Sequence, residues 1–101
     1  MNEIDFRLWL DKNNINKKVS SDIVSRLRRI EKEFNGCDID AEYHRDRCAF
    51  LLSLFDNKGI NDGMKKFPHS SLPVGKYQLS TYKYALNKYI YFLKEFTSEQ
   101  K

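Results

Sequence analysis

Six aromatic side chains fall within seventeen positions near the end of the chain, in STYKYALNKYIYFLKEF, residues 80–96. Tyr82, Ala85, Leu86, Tyr89, Phe92, Leu93 and Phe96 recur three and four residues apart, the spacing of one helical face. This pattern predicts a helix from Ser80, with Ser80 as its cap. Four of the rings lie on the apolar face. Tyr84 and Tyr91 point the other way, among Lys83, Asn87, Lys88 and Lys94. A helix with one broad apolar face must be covered by other elements, and the remaining periodic stretches are also helical.

Phe6, Trp9 and Leu10, with Ile4 nearby, mark a first helix over Glu3 to Lys12. DKNNINKK then breaks it. Ile23, Leu27, Ile30 and Phe34 predict a second helix from Ser21 to Phe34, with Val24 on its flank and Ser20 or Ser21 as cap. Arg28, Arg29 and Lys32 point away from that stripe, and Asn35–Gly36 ends the helix. A third helix is expected from Ile39 or Asp40 to Phe55, capped by Asp38 or Asp40. It is apolar on two sides: Ala41, His44, Cys48, Leu51, Leu52 and Phe55 on one, Tyr43, Phe50 and Leu54 on the other. Such a helix is either central or shows one side to a partner. Residues 56–79 hold three of the four glycines and both prolines, and read as a long irregular loop with a short helical turn near Ile60 to Lys66. The fold class expected is all-α: one domain over residues 1–101, about four helices, and a long loop before the last.

The formal net charge is +4, but it is unevenly placed. Residues 1–50 balance ten basic against ten acidic side chains, whereas Lys58 to Lys94 includes seven lysines and one acid, Asp62. A basic bias of this kind points to an anionic partner such as nucleic acid. No apolar run is long enough to span a membrane. The N-terminus lacks the basic and apolar regions of a signal peptide, so a cytoplasmic location is expected. Cys37 and Cys48 are read as ordinary thiols.

Catalytic chemistry finds no support in the motifs. Cys37, His44, Cys48 and His69 lack the close ligand pairs of a zinc site. DNKGINDG has Lys58 and Phe67 where a calcium loop needs oxygen ligands. His44–Asp46 spells the kinase triplet HRD with no other part of a kinase around it. The acids Asp38, Asp40, Glu42 and Asp46 suit a helix start. No Gly-rich phosphate loop or nucleophile motif occurs. The chain is expected to be neither an enzyme nor a carrier of a cofactor or metal.

Tyrosine rings can stack on bases, and lysines neutralise phosphates. The candidate DNA-contacting set is therefore Arg28, Arg29, Lys32, Lys65, Lys66, Lys83, Tyr84, Lys88, Tyr91 and Lys94, with Lys76 as an extension. The basic residues would hold phosphates, and the tyrosines would stack or meet sugar edges.

Three stretches carry a family resemblance: FRLWL with Phe6, Trp9 and Leu10; SSDIVSRLRRIEKEF with Val24, Leu27 and Ile30; and the last helix with Ala85, Leu86, Tyr89, Phe92 and Leu93. They resemble the small helical, SAM-like N-terminal domain of phage integrases and other tyrosine recombinases. A similar module stands at the front of some bacterial restriction endonucleases and defence proteins. The resemblance implies a module that clamps DNA through basic residues of its helices while a separate effector does the chemistry. The expected function is thus a non-catalytic DNA-binding module, mostly reading the phosphate backbone, of a mobile-element or restriction/defence system.

Two alternatives remain open. A small phage or mobile-element protein could use Tyr84 and Tyr91 to grip and inhibit a host protein complex such as a nuclease or defence effector. A homodimer could form through Tyr43, Phe50 and Leu54.

Overall fold

Helix α1, Glu3–Lys12, places Phe6 and Leu10 one turn apart, and both are fully buried. Glu3 and Asp5 in its first turn and Lys12 in its last complement the helix dipole. The computed structural model describes residues 1–68 and 70–99, with side chains through Phe96. His69, considered above as a zinc ligand, lies outside them. Among the described residues there are five α-helices, two short 3-10 turns and no strand. The all-α expectation holds, and the number of elements exceeds the four expected.

Helix α2, Lys17–Glu33, starts four residues before the expected Ser21. Its cap is Asn16, whose side chain accepts the Val19 N–H at 2.9 Å. Ser20, expected to be a cap, is buried inside the helix. Ile23, Val24, Leu27 and Ile30 form the buried stripe. The helix ends at Phe34, where Asn35 and Gly36 take left-handed φ of 62° and 68°.

The expected third helix is broken in two. Helix α3 covers Ile39–Asp46 and α4 covers Ala49–Ser53. Between them Arg47 and Cys48 both adopt left-handed φ, 59° and 64°. Each such non-glycine residue costs about 1–2 kcal/mol. The break has a packing reason. In a straight helix Tyr43 and Cys48 would lie about 140° apart, yet both are buried here. The Arg47 guanidinium stands 4.8 Å over the Tyr43 ring, and Asp46 accepts the Phe50 N–H at 3.1 Å, starting the new helix. Asp38 does cap α3, accepting the Asp40 N–H. Ala41 and His44, expected on an apolar stripe, are exposed.

Helix α5, Leu79–Glu99, is the central element. It packs chiefly on α2 and also on α1. Leu79, Tyr82, Ala85, Leu86, Tyr89, Ile90, Phe92 and Leu93 are buried, and Phe96 is half-buried. Ser80 lies inside the first turn and donates its hydroxyl to the Tyr77 carbonyl at 2.7 Å, so the expected cap is not the helix start. Phe6 meets Tyr89 edge-on at 4.9 Å and Phe92 at 5.4 Å. Tyr89 is the polar link of the core. Its hydroxyl accepts the Asn2 N–H at 2.6 Å and donates to Asp40. One side chain thereby ties α5 to the start of α1 and to α3.

Residues 56–68 and 70–78 are less irregular than expected. They hold 3-10 turns at Asp56–Gly59 and Met64–Lys66. Met64 and Leu72 are buried, and Phe67 meets Phe34 edge-on at 4.9 Å. Asn61 donates to the carbonyls of Leu54 and Asp56, at 3.0 and 2.8 Å. Gly59 has φ of +83°, and a Cβ there would stand 2.9 Å from Leu79 Cδ2, so both backbone and space require glycine.

Burial raises the ionisation range of three acidic groups. It pushes the Cys37 thiol up to about 11 and the Cys48 thiol to about 12. It also raises the Tyr89 phenol, whose bond to Asp40 adds to the effect. These groups keep their protons in the fold at pH values where the unfolded chain has lost them. Stability is therefore complete below about pH 8 and falls as pH rises through about 9 to 12. Urea midpoints taken from about pH 8 to 11 check this. A midpoint that stays flat over that window would contradict it.

Candidate nucleic-acid interface

The outward side of α5 holds Lys83, Tyr84, Asn87, Lys88, Tyr91, Lys94 and Glu95. Tyr84 is 49% exposed and Tyr91 63%, although each ring carries enough apolar area to be a core residue. Each is flanked by a cation on the same helix. Lys88 Nζ lies 5.8 Å from the Tyr84 ring centre, and Lys94 Nζ lies 5.8 Å from that of Tyr91. The two rings are seven residues apart, about 10 Å along the axis. That is roughly three base-pair rises of B-DNA. Glu95 also lies on this side, and its carboxylate accepts the Trp9 indole N–H at 2.5 Å. Glu95 thereby links α5 to α1 at the exposed surface.

The arginines of α2 have different roles. Arg29 donates to the Tyr82 hydroxyl at 2.7 Å, to the Ser71 carbonyl at 2.7 Å and to Ser71 Oγ at 3.0 Å. Its guanidinium also lies 5.6 Å from the Tyr82 ring centre. Glu33 completes the junction by accepting the Ser71 N–H at 2.9 Å, and these Ser71 bonds hold its carboxyl below the usual carboxylate range. Arg29 is a clamp between α2, α5 and Ser71, so its guanidinium already has partners within the protein. Arg28 bonds to Glu3 through two of its nitrogens. That contact depresses the Glu3 carboxyl, and Arg7 adds to it at 3.1 Å. Lys32 is exposed. Tyr82 receives Arg29, and Tyr84 lies about 200° further round α5. Arg29 therefore does not extend the Tyr84–Tyr91 face.

Lys65 and Lys66 belong to the 64–66 turn. Lys65 pairs with Asp62 at 3.4 Å on the surface, and Lys66 stands 5.9 Å from the Phe50 ring centre. The expected dimer face does not exist as a surface. Tyr43 is 4% exposed and Leu54 fully buried, because the break at Arg47–Cys48 turns both into the core. Phe50 is half-buried beneath Arg45 and Lys66.

Replacing Arg29 with alanine is expected to cost about 1 kcal/mol of stability, its bonds being partly open to solvent. DNA affinity should stay within about twofold of the parent. Thermal unfolding and binding to a duplex check the two halves separately. A large loss of binding with unchanged stability would return Arg29 to the contact set.

Several exposed groups escaped the pattern of the sequence. Tyr77, 74% exposed, precedes α5 outside any periodic run. Ile4 and Leu8 were hidden by their place in an apolar helix, yet they are 76% and 64% exposed. They line a groove of about 470 Å³ between α1 and α2 with Ile15, Arg7, Asp11 and Lys17. Their i, i+4 spacing, on a face separate from Phe6 and Leu10, was the available signal. Among the described residues no cluster of His, Cys, Asp and Glu is arranged to hold a metal, and no helix is long and apolar enough to cross a membrane. Both cysteines are free thiols. Comparison with protein-family models, curated proteins and solved structures finds no match for this chain.

Proposed function

We propose that this protein is a non-catalytic DNA-binding module whose contact surface is the outer face of α5. Lys83, Lys88 and Lys94 hold phosphates, and Tyr84 and Tyr91 stack on bases or pack against sugars. The observation that carries the reading is the pair of exposed rings on one side of α5, each with a lysine beside it. Backbone contacts of this kind position a protein without reading sequence, so binding is expected to be largely sequence-tolerant. The resemblance to SAM-like modules supports a separate effector, in a mobile-element or restriction/defence system, as the source of any chemistry.

The test is fluorescence anisotropy with a labelled duplex and its single strand, from about 50 to 200 mM salt. Binding should weaken steeply with salt. Changing Lys83, Lys88 and Lys94 together to alanine should reduce the salt slope by about 2–3, close to one unit per lost phosphate contact. An unchanged slope would remove these lysines from the interface.

A second reading has its own support. The exposed Ile4 and Leu8 and their groove are apolar surface that phosphate binding does not use. They favour a protein partner, such as a host complex that the chain grips and inhibits. Leu8→Glu would abolish that contact and leave duplex affinity nearly unchanged.

A further inference from the structure

Three lysines from three parts of the chain meet around one concavity. Lys58 belongs to the 56–59 turn, Lys76 to the segment before α5, and Lys83 to the first turns of α5; together they line a cavity of about 370 Å³. Ser80 and Tyr77 line it too, and so does one acid, Asp56. Among the described residues, none of the three lysines forms an ion pair or a side-chain hydrogen bond with the protein. Arg28 and Arg7, by contrast, are both paired with Glu3. Three cations against one carboxylate around one hollow raise the local concentration of an anion.

The shape of the wall is set by backbone. Asn57, Lys58 and Gly59 are consecutive left-handed residues, with φ of 52°, 56° and 83°. The Gly75 N–H donates to the Lys58 carbonyl at 2.7 Å, which draws Lys58 toward the segment that contains Lys76. Gly59 sits directly against Leu79, the first residue of α5. Lys58 and the segment of Lys76 are thus joined by a main-chain bond, and the start of α5 packs on the same turn through the Leu79 side chain.

From this arrangement we infer that the concavity is a receptor for a phosphomonoester of a nucleotide, the terminal phosphate of a nucleic-acid strand. Three ammonium groups against one carboxylate leave a formal charge of +2. A phosphomonoester near neutral pH carries about −1.5 to −2, against one negative charge on an internal diester. The match therefore favours a strand end over the continuous backbone. Tyr77, a lining residue that is 74% exposed, supplies a ring on which the terminal base would stack. Lys83 belongs both to this pocket and to the α5 face, so a strand laid along Tyr84 and Tyr91 ends here. The strand-end part of the inference rests on the DNA-binding reading; the phosphate pocket itself does not.

The experiment compares one oligonucleotide bearing a 5′-phosphate, the same oligonucleotide bearing a 5′-hydroxyl, a version with a 3′-phosphate, and adenosine monophosphate as a free nucleotide. One phosphorylated end should bind about tenfold more tightly than the hydroxyl form, as expected for a few charge-assisted hydrogen bonds. Lys76→Gln should bring that ratio to one and leave the hydroxyl form within about twofold. Lys58→Asn should do the same, with asparagine chosen because it tolerates the left-handed backbone. Equal binding of all oligonucleotide forms would overturn the pocket and leave the DNA-binding module standing. Binding of the free nucleotide with no measurable oligonucleotide binding would support the pocket and overturn the module. Failure of every ligand to bind would overturn both.

Discussion

Replacing Tyr89 with alanine is expected to remove about 4 kcal/mol or more of folding stability. The ring contributes most of this, since truncating a buried aromatic residue costs about 3–5 kcal/mol. Tyr89 is fully buried between Phe6 and Phe92. The hydroxyl adds its own part, because its loss leaves Asp40 and the Asn2 N–H without their shared partner. For a domain of this size the loss is a large part of a typical stability of about 5–15 kcal/mol. The melting temperature should fall by on the order of 20 °C. Tyr89→Phe separates the two contributions: it keeps the packing and should cost about 1–2 kcal/mol. Denaturant unfolding of both variants measures this. A Tyr89→Phe protein as stable as the parent would show that the link among α1, α3 and α5 contributes nothing.

The second large effect concerns binding. Changing Tyr84 and Tyr91 together to alanine is expected to weaken single-strand binding by about 2–6 kcal/mol, because each stacked base is worth about 1–3 kcal/mol. That is at least a thirtyfold loss. Folding stability should move by no more than about 0.5 kcal/mol, since neither ring is part of the core. The salt dependence should keep its slope, in contrast to the lysine variants, because no phosphate contact is removed. Loss of less than about threefold would assign both rings a role other than stacking. Together the two sets of variants divide the face into its electrostatic and stacking parts.

Helices α1 and α5 were legible because their apolar residues repeat without interruption. The bounds of α1 match the sequence pattern, and Tyr84 and Tyr91 lie outward as a wheel places them. The start of α2 was misplaced because Asn16 stands among Asn13, Asn14 and the lysines of a stretch that reads as a breaker, while two serines offered a cap further on. The break at Arg47–Cys48 carries no glycine or proline. It arises from tertiary packing, which local preference does not record. The anchors of the 56–78 segment, Met64, Phe67 and Leu72, follow no period, so the segment looked like an open loop. The site was legible only where its residues share a helix. Arg28 and Arg29 point outward on a wheel, but their partners Glu3, Ser71 and Tyr82 lie 25, 42 and 53 residues away. The lysine concavity joins three separate segments and left only a general basic bias in the sequence.

The central claim is that DNA lies on the outer face of α5. It is tested most directly by following backbone amide resonances of the folded protein during titration with a short duplex at about 50 mM salt. Progressive shifts are expected at Lys83, Tyr84, Asn87, Lys88, Tyr91 and Lys94, with Ile4 and Leu8 undisturbed. Shifts confined to the α1–α2 groove, or no shifts at saturating duplex, would contradict it.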